Sequence, residues 1–289
     1  MGFEAPRRLV RALGEGDAWL ARLPSIAEEA VDRLELAVER TVVPGGRSSC
    51  VLLVRRSDGT SAALKLAPPS AAPEAERAAL AHWAGWGAAH LLPAAPTEGA
   101  FLLERLHPEV SLRSLPDGKA LLEAAGIVRR LWVEPAADHG FETVAERTAR
   151  QAKSLRDSAE LAGEPLVMAA LAARDELAES SPESLLLHGS FRQGKVLAGD
   201  RTPWVAVGPD PVVGERAYDL GRLAWDRVED LVAAAAGASA TRRRINKLAD
   251  SLEVDAERLR GWALFRAVES ARRVSVPEAE LRWEFASWL

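Results

Sequence analysis

Leu185-Leu-Leu-His188-Gly189-Ser190-Phe-Arg-Gln-Gly194-Lys195-Val-Leu197, followed by Trp204-Val-Ala-Val-Gly208-Pro209-Asp210-Pro-Val-Val-Gly214, is the stretch that decides the fold of this chain. Its short apolar runs, bounded by glycines, prolines and a polar loop, are a β signal. They stand alone in a region otherwise patterned as long amphipathic helices. On the amino-terminal side the spacing predicts helices over Lys119–Val133, with Asp117 as candidate cap, over roughly Thr143–Leu161 and over Pro165–Glu179. On the carboxyl-terminal side it predicts helices near Ala217–Ala236 and Ala256–Arg273, and a helical tail Pro277–Leu289 if Trp283 and Trp288 pack inward.

Before residue 105 the pattern changes. Cys50-Val-Leu-Leu-Val-Arg55 and Ser61-Ala-Ala-Leu-Lys65-Leu66, split by the turn Ser57-Asp58-Gly59-Thr60, predict a β-hairpin. Ala72 through Trp83 reads as a helix and Phe101-Leu-Leu-Glu104-Arg-Leu106 as a further buried strand. The boundary between the β-rich part and the helical part falls near residues 105–110. No internal repeat or low-complexity tract is present, and Pro68–Pro73 reads as a mobile loop.

The composition excludes several classes. With 289 residues, 48% of them hydrophobic, the chain has ample material for a sizeable core. No apolar run approaches the ~18 residues that span a bilayer, and the first residues lack the layout of a signal peptide, so no membrane partner and a cytoplasmic location are expected. A net charge of -5 argues against nucleic acid as a partner. The locally basic Arg242-Arg-Arg-Ile-Asn-Lys247 reads as a solvated helix face. The single cysteine, Cys50, reads as a small buried hydrophobe, and the nine tryptophans as core packing. The excess of arginine over lysine and the alanine runs read as the bias of a GC-rich coding sequence.

The His188–Leu197 loop and the Gly208-Pro-Asp-Pro turn together resemble the aminoglycoside phosphotransferase-like superfamily. The branch is that of streptomycin 6-phosphotransferases and hydroxyurea phosphotransferases, whose loop reads His-Gly-Asp-Leu-His-x-Gly-Asn-Val-Leu, then Ile-Asp-Pro-Lys-Pro. Lys65 in Ala-Ala-Leu-Lys-Leu, Glu76 eleven residues later, Arg113-Ser-Leu-Pro-Asp117, Val128-Arg-Arg-Leu-Trp-Val133 and Gly214-Glu-Arg-Ala-Tyr218-Asp219-Leu carry the same resemblance. It implies an α+β, protein-kinase-like fold of two lobes: a small β-rich lobe over 1–106, with amino-terminal helices, sheet and one paired helix, and a large helical lobe over 107–289. Asp219 is implied as a structural anchor and His188 as a support of the loop backbone.

The resemblance also locates what is missing. Ser190 stands where the family has the aspartate that accepts the proton of the attacking hydroxyl, a group worth roughly 10²–10⁴-fold. Lys195 and Gly208 stand where it has the Asn and Asp that hold magnesium through oxygen. No catalytic or metal position is intact, leaving Lys65, Glu76, Glu104 and Lys195 as candidates for holding a nucleotide, without a required cofactor and without metal. Pro44-Gly-Gly-Arg-Ser-Ser49 keeps the position of a phosphate-covering loop but not its full glycine spacing. The expected function is that of a pseudokinase that binds a small molecule or a protein partner through the former cleft. Two alternatives stay open: an enzyme of natural-product metabolism that reuses the cleft, and an impaired aminoglycoside or hydroxyurea phosphotransferase.

Overall fold

The structure, a computed structural model, describes residues 4–95, 97–158, 161 and 163–289. Two compact units are present. One comprises the chain up to Ser111 together with Leu197–Gly208, and the other Leu112–Val196 together with Pro209–Leu289. A single cut after residue 106 makes no provision for the return of 197–208 to the first unit. That return has a backbone reason: Leu106 and His107 pair antiparallel with Gly199 and Ala198.

In the first unit helices α1 (Arg7–Leu13) and α2 (Ala18–Arg33) precede strands β1 (Ala37–Thr41), β2 (Cys50–Arg55) and β3 (Ser61–Leu66). Helix α3 (Pro73–Trp83) and strands β4 (Ala100–Glu104) and β5 (Leu106–Ser111) follow. Strands β1 to β4 form an antiparallel sheet in sequence order, with Lys65 opposite Val51 and Phe101. Side chains alternate between the two faces of a strand. Cys50, Leu52, Val54, Ala62, Leu64, Leu66 and Leu102 therefore share one face, where they pack with Leu9, Leu23, Ala27 and Ala30 of the two amino-terminal helices. Each fully buried leucine contributes about 1.5–3 kcal/mol. Burial pushes the Cys50 thiol up to about 12, so it behaves as the small hydrophobe its strand suggests.

The second unit is mainly helical: α4 (Asp117–Leu131), α5 (Val144–Arg156), α6 (Pro165–Glu179), α7 (Arg216–Leu223), α8 (Val228–Ala233), α9 (Gly237–Leu252), α10 (Ala256–Ala271) and α11 (Val276–Ser287). A two-stranded ribbon, Leu185–Leu187 against Val212–Gly214, is the β signal around the decisive loop. Helix α10 lies close to its neighbours where Gly221 faces the Trp262 backbone and Gly261 faces Leu177. A Cβ on either glycine would approach those atoms to 3.0 and 2.7 Å. Trp262 is fully buried, and its indole N–H donates to Glu215 Oε1 at 2.8 Å. Arg258 grips the same carboxylate with two hydrogen bonds of 2.6 Å.

Four sequence expectations change. Asp117 is not the cap of α4, since Pro116 precedes the helix and Asp117 is its first residue; its carboxylate accepts from Arg244 and, at 3.2 Å, from Gln193 Nε2. The helix expected over Ala217–Ala236 is broken at residues 224–227, where Arg227 adopts a left-handed φ of 54°. The break is held because the Asp226 carboxylate accepts the Gln193 amide, and Arg227 donates to the carbonyls of Leu112, Arg113 and Leu115. The basic run in α9 is not wholly solvated: Arg244 is 8% exposed and donates to the Asp226 carbonyl. In the tail helix Phe285 and Ala286 form the buried positions, while Trp283 and Trp288 are half-buried.

Helix α5 begins with a reciprocal cap, Thr143 accepting from the Glu146 amide and Glu146 from the Thr143 amide. Thr143→Ala is expected to lower unfolding free energy by about 1 kcal/mol. Arg258→Leu, which strands the buried Glu215, is expected to cost about 3 kcal/mol or more. Denaturant midpoints at unchanged m-value check both; equal losses would remove the distinction drawn between a cap and a buried ion pair.

Candidate functional site

In the first unit, β3 and α3 bring together the two residues that the resemblance singles out as a pair, Lys65 and Glu76. Lys65 Nζ donates to Glu76 Oε2, with side-chain exposures of 7% and 6%. Such burial separates this ion pair from an ordinary surface pair, whose net worth is below ~1 kcal/mol. Glu76 Oε1 is buried without a hydrogen-bond partner among the described residues, and the Lys65 ammonium lies 5.7 Å from the Phe101 ring centre. The pair is therefore only partly satisfied on its own.

Glu104 is placed differently. Its carboxylate accepts from the His90 amide at 2.7 Å and from Arg201 at 2.7 and 3.1 Å, so its oxygens serve a structural clamp and do not meet Lys65 or Glu76. Beside it opens a cavity of about 720 Å³, lined among others by Leu53, Ser61, Leu92, Leu106 and Glu104. Its border is charged. Arg40 pairs with Glu109, and His107 with Asp200 at 2.8 Å. Gly208, also in this unit, has a φ of 60°, the left-handed region that short polar residues and glycine tolerate best.

In the second unit the decisive loop leaves the Leu185–Leu187 strand and is caught by Asp219 on α7. One oxygen accepts the His188 amide at 2.9 Å and the other the Gly189 amide at 2.8 Å. Burial pushes the Asp219 carboxyl up from its ordinary range, opposed by Arg266 and by these two amides. Gly189 is required here: its φ is 74°, and a Cβ would stand 1.8 Å from the Asp210 carbonyl oxygen. Arg266 donates to the Gly189 carbonyl at 2.6 Å, and the Asp210 amide to the His188 carbonyl at 2.9 Å. His188 is fully buried with its ring edge-on to Phe191, a structural place.

Within that loop Lys195 Nζ donates to Ser190 Oγ. The two positions that resemblance marks as base and metal ligand thus hold each other. Asp210, between two prolines, is 62% exposed and pairs with Arg147 at 3.0 Å; Asp200 is 83% exposed. A magnesium ion needs hard anionic or carbonyl oxygens in octahedral array. A hydroxyl, an ammonium and a glycine do not supply them, and no group of three or more His, Cys, Asp or Glu able to hold a metal occurs among the described residues. No helix is long and apolar enough to cross a membrane among those residues.

Sequence reading missed the ring of groups around the loop: Asp226, which takes the Gln193 amide, and the arginines Arg222 and Arg266. The only available signal was the short spacing Asp219 to Asp226 along one helical pattern, which spacing alone cannot assign to a loop 30 residues earlier.

The family described as aminoglycoside/hydroxyurea antibiotic resistance kinase matches residues 35–276. A streptomycin 6-kinase of Streptomyces glaucescens is 35% identical over 269 residues, covering 90% of this chain and 86% of that protein. A hydroxyurea phosphotransferase of Kitasatospora aureofaciens is 31% identical over 288 residues, covering 92% and 79%. Among solved structures, a microcompartment-associated aminopropanol kinase superposes with a TM-score of 0.62 at 14% identity, covering 92% of this chain and 94% of that one. The aminoglycoside phosphotransferase APH(4)-Ia in complex with ADP and hygromycin B gives 0.60 at 16%, covering 91% and 98%. At such identities the structural likeness establishes the kinase-like α+β fold, and the sequence matches establish descent: the chain belongs to the aminoglycoside/hydroxyurea antibiotic resistance kinase family.

Proposed function

We propose that this chain is a catalytically degenerate member of its family that binds a small molecule without transferring phosphate. The observation that carries this reading is the Lys195 to Ser190 hydrogen bond. A serine hydroxyl has no basicity to take a proton near neutral pH, and here it accepts from an ammonium, which lowers its electron density further. Lys195 brings a fixed positive charge where relatives in the resemblance use a neutral amide oxygen, and Gly208 brings no side chain at all. Because the donor set does not fit magnesium, no step runs through one.

What remains is binding. The buried Lys65 and Glu76 pair keeps one carboxylate oxygen unmatched, and the first unit has, lined by other residues, a cavity beside Glu104 of a size suited to a small ligand. Solved structures of the same fold hold such ligands, one with ADP and hygromycin B and another with ADP and streptomycin. Small molecules are favoured over a protein partner because solved structures of the same fold hold small molecules.

The purified protein is expected to transfer no phosphate from ATP or GTP to streptomycin or hydroxyurea. Radiolabelled nucleotide followed through many enzyme equivalents is the assay, and turnover clearly above a Lys65→Ala control would overturn the reading.

Nucleotide binding, in turn, is expected to be indifferent to EDTA and weakened by Lys195→Met, since the lysine supplies the charge that a metal would. Titration calorimetry with and without magnesium decides this; strict magnesium dependence would show that the degenerate positions still serve an ion.

A further inference from the structure

The loop between β1 and β2 stands where the resemblance puts a phosphate-covering loop, and its hold on the rest of the first unit is narrow. Residues 43–48 are exposed to solvent with one exception, Gly45, which is half-buried. What lies against Gly45 is Pro6, a buried residue just ahead of α1. A Cβ at Gly45 would stand 2.9 and 3.1 Å from the Cβ and Cγ of Pro6, and 3.0 Å from the Val42 carbonyl oxygen. Gly45 also has a φ of 69°, in the left-handed region. A side chain is thus excluded here twice, by the backbone conformation and by the proline ring.

Pro6 itself has little freedom. Its ring fixes φ, here -57°, and its carbonyl accepts the amides of Leu9 and Val10 at 2.9 and 3.1 Å, which opens the first turn of α1. Leu9 is fully buried in the face that Cys50, Leu52, Leu64 and Leu102 present to the amino-terminal helices. The seating of α1 on the sheet is therefore passed through one rigid turn to Pro6, and from Pro6 to the loop. The far end of the loop is fixed separately, where Ser49 and Cys50 are buried at the start of β2. An exposed stretch with two adjacent glycines has much conformational entropy to lose, and a contact at its middle removes a large part of that freedom.

We propose that the amino-terminal segment is a strap for this loop: Pro6, fastened to the sheet through α1, holds residues 43–48 in one position whether or not a ligand is present. The value of the strap to a ligand rests on the binding reading above, since a cover that is already held need not be ordered at the moment of binding.

The test is limited trypsin digestion of the full chain under native conditions, with the fragments identified by mass. Arg47, exposed beside Gly46, is the target, and Arg56, in the turn at the opposite end of β2, is the internal reference. In Pro6→Gly the ratio of cleavage after Arg47 to cleavage after Arg56 is expected to rise about tenfold or more, since cleavage follows the population of the open loop. Cys50, packed with Leu9, is expected to stay as slow to alkylate as in the unaltered chain, which shows that α1 is still seated. Gly45→Ala approaches the same contact from the loop and leaves the start of α1 untouched; it is expected to raise the same ratio, because the methyl group and the proline ring cannot share the space. Where Pro6→Gly unseats α1, Gly45→Ala decides alone. An unchanged ratio in Gly45→Ala, or in a Pro6→Gly chain with α1 seated, overturns the proposal. Absence of nucleotide binding bears on the earlier reading and leaves the strap standing.

Discussion

The carboxylate of Asp219 holds two successive amides of the decisive loop, and much of the second unit is arranged to let it do so. An ionised group buried this deeply costs several kcal/mol unless its oxygens are filled and a positive charge stands near. The His188 and Gly189 amides fill them, and Arg266 supplies the charge while also binding the Gly189 carbonyl. Were the carboxylate absent, two buried N–H groups would lose their acceptor, at about 1–3 kcal/mol each. The clamp explains why Gly189 must be a glycine and why the Asp210 carbonyl can press against it. It is indifferent to the side chains at Ser190 and Lys195, which is how a loop of this kind keeps its frame when its reactive groups change.

Guanidinium groups do for the second unit what hydrogen-bonded water or extra strands do elsewhere. Arg227 binds three consecutive-turn carbonyls, at Leu112, Arg113 and Leu115, together with the Gln193 amide oxygen. Arg244 joins the Asp226 carbonyl to Asp117, and Arg258 joins Glu215 to the Leu177 carbonyl and Ser180. Five donors in a fixed plane suit arginine to such multi-point staples, and lysine could not replace it. The abundance of arginine that composition assigns to coding bias is thus in part structural.

Local signals were legible and distant ones were not. The start of helix α6 was readable because Pro165 sits at its first turn, where the missing N–H costs nothing. Lys65 and Glu76 were readable as a pair because both match positions of the family the chain resembles. Asp117 was misread because its sequence context is that of a cap, while its actual partner, Arg244, lies 127 residues away. The break after Leu223 was hidden for the same reason: residues 217–236 contain no proline to mark a stop, and what stops the helix is Asp226 reaching a loop amide and Arg227 reaching the turn before α4. Of the candidate site, Ser190, Lys195 and Gly208 were found by resemblance, whereas the contact of Lys195 with Ser190 and the role of Glu104 in binding Arg201 are legible only in the fold.

Cys50 sits at the start of β2, fully buried among the residues that fasten the two amino-terminal helices to the sheet, and it is the chain's one thiol. Its ionisation is suppressed by that burial, so an alkylating reagent finds neither access nor thiolate while α1 and α2 stay in place. The sulfur is therefore a native clock for the first unit: the rate at which it is capped measures how often those helices lift from the sheet, without a label having to be introduced anywhere in the protein.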